Sequence, residues 1–224
     1  MARAAHVNLM TDTVIANLSP DALRAVVRAL LADDRDGLLA RRFQDHARQR
    51  LRRDCDRDRD LLSLPDADDP VAAVLLRRRR ILALLGCGLA VDSLALIADI
   101  VTHAAALLLR RRHDHKNDDD DDDDDDESPL LDTLAAVDAD LVQALTAVRT
   151  QQQQQQQHHP SDAQTMAALR DLQHCLAASH AAHRAQHCEF AFERGQDMLR
   201  DLLEAQGEEE KKRHGGTDGL SETI

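Results

Sequence analysis

The chain has 224 residues, enough for one medium domain with tails or for two small ones, with 1% aromatic residues, no Trp or Tyr, and a formal net charge of -13. Ala, Leu, Arg and Asp dominate, which excludes sheets built on β-branched and aromatic surfaces and points to an all-α protein. A uniformly acidic fold is excluded as well, because residues 118–127 alone supply ten carboxylates, and residues 1–112 hold 19 arginines against 15 acids.

The architecture expected is an irregular helical bundle with a long C-terminal helix and disordered acidic and polyglutamine inserts. Residues 1–10 are expected to be disordered and lack the apolar core of a signal peptide. The four cysteines, Cys55, Cys87, Cys175 and Cys188, form no CxxC pair, so a reduced intracellular protein of the nucleus or cytoplasm is expected.

Residues 11–53 read as an N-terminal helical hairpin. Ser19-Pro20-Asp21 is a helix start, with Ser as N-cap, Pro at the first helical position and an acid in the first turn. Leu23, Val26, Val27, Leu30 and Leu31 then recur at helical spacing, with Arg24 and Arg28 on the other side. A second helix places Leu39, Phe43, Ala47 and Leu51 in one row among Arg41, Arg42, Arg48, Arg50, Arg52 and Arg53. Its basic surface fits phosphates or an acidic partner, or plain solvent. No aromatic interleaving supports base stacking, so direct nucleic-acid binding is not expected. Residues 54–69, with alternating charges and Pro65, read as a charged linker.

Residues 70–112 form the central apolar region, capped by Asp69 with Pro70 first in the helix. Between Arg77, Arg78, Arg79 and Arg80 and the arginines at 110–112, the run 81–109 has Asp92, Ser93, Asp99, Thr102 and His103 as its strongly polar residues. Its length suffices for a membrane span, but each of two central carboxylates would cost about 2.5–3.5 kcal/mol in a bilayer. At about 100° per residue, Asp92, Asp99 and His103 fall within about 40° of one another. A buried helix wetted along one narrow stripe is therefore expected, with membrane attachment through 81–109 as an alternative. The four arginines sweep about 300° of helix surface, so either the helix is exposed there or an arginine is ion-paired; a nuclear-import cluster has the same form. Gly86-Cys87-Gly88 lacks the third glycine and preceding strand of a nucleotide loop and marks a kink or close crossing.

Residues 113–128 contain nine adjacent aspartates and read as a disordered tether able to meet a basic protein. Ser128-Pro129 opens a helix over 129–150 whose Leu130, Leu134, Val137, Leu141, Ala144 and Val148 make a packing seam. Residues 151–160 are a polyglutamine linker of little specificity. Ser161 and Gln164 fit a capping box that opens a long C-terminal helix over 161–206, with Gly195 a weak point. Residues 207–224 are expected to be a disordered tail.

The chemistry-bearing residues are few. His180, His183 and His187, at i, i+3 and i+7, are the candidate metal ligands, and zinc is the ion they would hold, because histidines one turn apart chelate transition metals. Three ligands on one straight helix close a tetrahedron poorly, so the leading expectation has no cofactor. Asp99 and His103 can hydrogen-bond at i and i+4, but no nucleophile, glycine-rich turn or oxyanion donor accompanies them. The function expected is therefore that of a non-enzymatic helical interaction or regulatory protein. Its partners would be proteins, basic ones through the acidic tract, or a second copy of itself, with no membrane.

Overall fold

The computed structural model describes residues 9–58, 64, 69–115, 129–155 and 163–215, with side-chain environments for 13–54, 64, 69–110, 129–154 and 163–208. Among these residues there are eight helices and no strand: α1 Leu9–Asn17, α2 Pro20–Ala32, α3 Leu38–Asp58, α4 Pro70–Gly86, α5 Ala90–His115, α6 Pro129–Gln155, α7 Ala163–Ala185 and α8 Glu193–Gly215. The all-α expectation holds. The chain divides into two compact units, Met1–Arg52 and Arg53–Ile224. Expectations for 1–8, 59–63, 65–68, 116–128, 156–162 and 216–224, including the poly-Asp tether and the Ser161 capping box, lie outside the described residues.

The second unit holds the bundle. Helices α5 and α6 are its central pair: α4 lies against both, α7 packs on α5, α8 packs on α6, and α7 meets α8. Its core is aliphatic, with Ile81, Leu84, Leu94, Ile97, Ile100, Val101, Ala104 and Leu107 buried alongside the α6 seam of Leu130, Leu134, Val137, Leu141, Ala144 and Val148. Leu169, Leu172 and Leu176 of α7 close the far side, joined by Phe192, Leu199 and Leu202. The apolar run is thus partly covered by the chain's own helices, while Asp92, Asp99 and His103 are half-buried along one edge of α5.

Several boundaries differ from those expected. The central region 70–112 is two helices rather than one. At Gly88 (φ 71°), the Leu89 N–H reaches the Leu84 carbonyl at 2.9 Å and the Gly88 N–H reaches the Leu85 carbonyl at 2.9 Å, a Schellman stop in which glycine takes the left-handed position at no steric cost. The single helix over 161–206 is likewise two. Its break falls at His187 (φ 52°), not at Gly195: the Cys188 N–H bonds the His183 carbonyl at 2.9 Å and the His187 N–H bonds the Arg184 carbonyl at 3.3 Å, the same motif with histidine in the glycine position. The tail expected from residue 207 is helical to Gly215.

The linker 54–69 begins as the last turn of α3 and pins Leu64 into the core at 1% exposure. Helix α6 continues into the polyglutamine run as far as Gln155. Gln151 Nε2 donates to the Gly88 carbonyl at 3.1 Å, and Gln152 Oε1 accepts from Gln206 Nε2 at 2.6 Å.

The first unit has a different character. Helices α1, α2 and α3 are locally well formed: Ser19 Oγ accepts the Ala22 N–H at 3.2 Å, and Asp34 Oδ2 accepts the Ala40 N–H at 2.9 Å across the turn at Gly37 (φ 65°). Yet they do not pack side by side as the expected hairpin would, and α1 starts at Leu9, within the stretch expected to be disordered. No described side chain of residues 13–52 is buried. Among the described residues the bundle is built from α4 to α8.

Candidate interaction surface

The residues expected to carry chemistry are held in structural roles. His183 is fully buried in α7, and its Nδ1 lies 2.7 Å from the Ser179 carbonyl, which makes Nδ1–H the donor and leaves Nε2 the lone-pair nitrogen. Nε2 is enclosed and meets no donor among the described residues. Phe190 stands against this ring edge-on at 5.3 Å between centroids and against the exposed His180 at 4.8 Å. His187 is exposed at the helix stop. The structure thus brings His180 and His183 to one phenyl ring. Among the described residues no group of three or more His, Cys, Asp or Glu side chains is placed to hold a metal ion. Cys87, Cys175 and Cys188 are partly buried.

The Asp99–His103 pair is absorbed into an ion-pair network. His103 Nδ1 lies 2.8 Å from the Asp99 carbonyl and 3.4 Å from Asp99 Oδ1, while Arg77 Nε reaches Asp99 Oδ2 at 3.0 Å. Burial pulls the Arg77 guanidinium below its ordinary pKa, and the neighbouring Asp99 opposes that shift. Arg78 Nε meets the buried Asp140 of α6 at 2.6 Å. Two of the four consecutive arginines therefore turn inward to acids on α5 and α6, and Arg79 is exposed, which is how a run sweeping most of a helix surface fits against a core.

The pairing of Asp138 with Gly195 is one that spacing did not suggest. Helix α8 begins after Phe192, which has no side-chain acceptor for the free N–H groups of the first turn. Asp138 of α6 supplies it, accepting the Gly195 N–H at 2.8 Å. Burial raises the Asp138 pKa, while the Gly195 bond and Arg194 act in the opposite direction and Glu193 adds to the rise. The close approach requires glycine: a Cβ at 195 would sit 2.7 Å from Asp138 Oδ1 and 2.8 Å from Leu141 Cγ. What looked like a weak point in a helix is the contact by which α8 seats on α6.

A half-open cleft of about 170 Å³ between α7 and α8 is lined by Met166, Arg170, Gln173, Leu203, Gln206 and Gly207, with no nucleophile or carboxylate among them.

The conspicuous surface is apolar instead. In the first unit Val14, Ile15, Val26, Leu30, Leu38, Leu39 and Phe43 are each about half exposed. In the second, Leu75, Leu76 and Leu82 leave an apolar strip on the outer side of α4. The i, i+7 spacing of Leu75 and Leu82 was legible as a stripe, but the four arginines that interrupt it drew attention to charge instead. Burial of apolar area is the main drive to association, so these faces have the composition of contacts made with something else. Helix α5 is long and apolar enough over Ala90–Arg110 to cross a membrane by length and composition, with half of that window buried inside the protein. In comparisons with protein-family models, curated proteins and solved structures, nothing matches this chain.

Proposed function

We propose that this chain is a non-enzymatic helical interaction protein in which the bundle of α4 to α8 is the scaffold and uncovered helical faces receive protein partners. The observation that carries this reading is the first unit. Its helices α2 and α3 are amphipathic, and its apolar residues include Leu30 at 56% exposure and Phe43 at 49%. A helical segment that buries no side chain of its own offsets little of its ordering entropy, so a partner that covers it gains both contact and order. The acidic run 118–127 is a second, electrostatic contact for a basic partner. We place the protein inside the cell, in nucleus or cytoplasm, with no cofactor.

Affinity capture with mass spectrometry tests this with three baits: the intact chain, a Leu30→Glu, Phe43→Glu double variant, and a deletion of residues 118–127. Partners lost from the double variant assign the function to the helical faces, and partners lost from the deletion assign it to the acidic run. Identical partner sets on all three baits would sink the proposal.

A further inference from the structure

Helix α4 leaves one face uncovered, and a single charge stands in the middle of it. The exposed residues of the helix are Ala72, Leu75, Leu76, Leu82, Ala83 and Gly86, together with Arg79. At about 100° per residue all of them fall within an arc of about 120°, and Arg79 is at its centre. Leu75, Leu76 and Leu82 are 38%, 49% and 42% exposed. Along the arc Ala72, Leu75, Arg79, Leu82 and Gly86 alternate by three and four residues, the spacing of a seam that meets another helix. A Cβ at Gly86 would meet nothing within 4 Å, so the seam is open to its end. No acid lies between Pro70 and Gly86. The acids that reach α4 are already engaged: Asp69 accepts the Ala72 N–H, Asp99 holds Arg77 and Asp140 holds Arg78. Arg79 makes no hydrogen bond or ion pair with them or with any other described residue.

We propose that this face of α4 seats a helix of another protein that presents one carboxylate, set between apolar residues, to Arg79. This rests on reading the uncovered faces as interaction surfaces and adds the partner's chemistry. A guanidinium pressed between two apolar seams loses its water and needs a counter-charge inside the contact. That need selects among the occupants. A second copy of α4 would bring a second Arg79 and no carboxylate. A lipid surface takes a helix whose cations stand on the polar side and whose apolar face is immersed, whereas here the cation is in the middle of the apolar arc, where immersion is deepest. Nucleic acid would meet one charge among leucines that stay in water. A helix with a carboxylate at the matching core position satisfies Arg79 and covers the leucines together. Such a pair also fixes register, as one polar residue at a core position does in coiled coils.

The test uses the full-length chain and fluorescence anisotropy with three synthetic helical peptides that carry leucines at a and d. They differ at one central a position, which holds glutamate, lysine or leucine. The glutamate peptide should bind at least about tenfold tighter than either other. Arg79→Glu should reverse the order, so that the lysine peptide binds tightest, and Arg79→Leu should abolish the preference for glutamate. Leu75→Glu with Leu82→Glu should weaken the glutamate peptide at least about tenfold, while Leu30→Glu with Phe43→Glu leaves it unchanged and so assigns the site to α4. Circular dichroism of each variant reports whether the bundle is intact, and a reversed preference requires that it be. Absence of binding, equal binding of the glutamate and lysine peptides, or no reversal in Arg79→Glu would overturn the proposal. So would a dimer in sedimentation that Leu75→Glu with Leu82→Glu dissolves, or tighter binding to phosphatidylserine vesicles or duplex DNA. Should the glutamate peptide fail while the Leu30→Glu, Phe43→Glu bait still loses its partners, the chemistry assigned to α4 is wrong and the reading of uncovered faces stands.

Discussion

Helices α2 and α6 are both amphipathic, and both start at a proline. In α6 every residue of the seam from Leu130 to Val148 is at most 1% exposed, whereas in α2 Val26 and Leu30 remain 45% and 56% exposed. The difference lies in company. Helix α6 has α4, α5 and α8 against it, while among the described residues of its own unit no helix packs closely along α2. Periodicity specifies that a helix has a face and says nothing about what covers it.

Matched truncations break or sharpen that contrast. Leu141→Ala in α6 should lower unfolding stability by about 2–5 kcal/mol, because it opens a cavity among fully buried neighbours. Denaturant titration followed by far-ultraviolet circular dichroism reads it, and a loss below about 1 kcal/mol would contradict the packing described. Asp138→Ala should cost about 1–3 kcal/mol by leaving the Gly195 N–H buried without an acceptor. Asp138→Asn keeps an oxygen there and exposes the sign of the pH effect.

Because burial raises the folded-state pKa of Asp138 above its ordinary 3.8, its contribution is fully present below about pH 4 and is lost as pH rises through the folded value. The stability of the Asn variant relative to wild type should therefore increase from pH 3 toward neutrality; a flat or falling difference would contradict the shift.

Smaller effects follow at the helix stops and in the first unit. Gly88→Ala should cost about 1–2 kcal/mol, since its left-handed φ disfavours a Cβ, and His187→Gly should gain about 0.5–1 kcal/mol for the same reason in reverse. Both are read as shifts in denaturation midpoint. Leu30→Ala in α2 should change stability by no more than about 0.5 kcal/mol, and a loss as large as that of Leu141→Ala would mean that this face is covered in solution. Zinc added to the purified chain should not bind stoichiometrically, with or without His183→Ala and His187→Ala, since among the described residues no group of three or more His, Cys, Asp or Glu side chains is placed to hold a metal ion; one equivalent lost in the double variant would restore the metal reading.

The two helix stops show how much was legible. Gly86-Cys87-Gly88 announced itself, because glycine in an apolar run has few other uses, though a kink was expected where the chain makes a full stop. The stop at His187 gave no such sign, since histidine is an ordinary helix residue and its left-handed backbone is imposed by the turn that lets Phe190 and Phe192 enter the core. Gly195 drew notice for the wrong reason: it is not where the helix breaks but where a carboxylate from α6 comes close enough to cap it. The arginine-rich surface of α3 was legible as a pattern of residues at helical spacing, while the exposure of Leu39 and Phe43 within it was not.

Helical class, the Ser19 and Asp69 caps, the α6 seam and the wetted edge of α5 all depend on residues within a few turns of one another, and local spacing in the sequence determines such features. Tertiary structure alone decided which faces are covered, which of the four arginines turn inward, and that Asp138 finishes a helix that starts 55 residues later. Those outcomes depend on the free energy of bringing distant segments together, through burial, desolvation and the satisfaction of orphaned N–H groups, and no local pattern of residues encodes them.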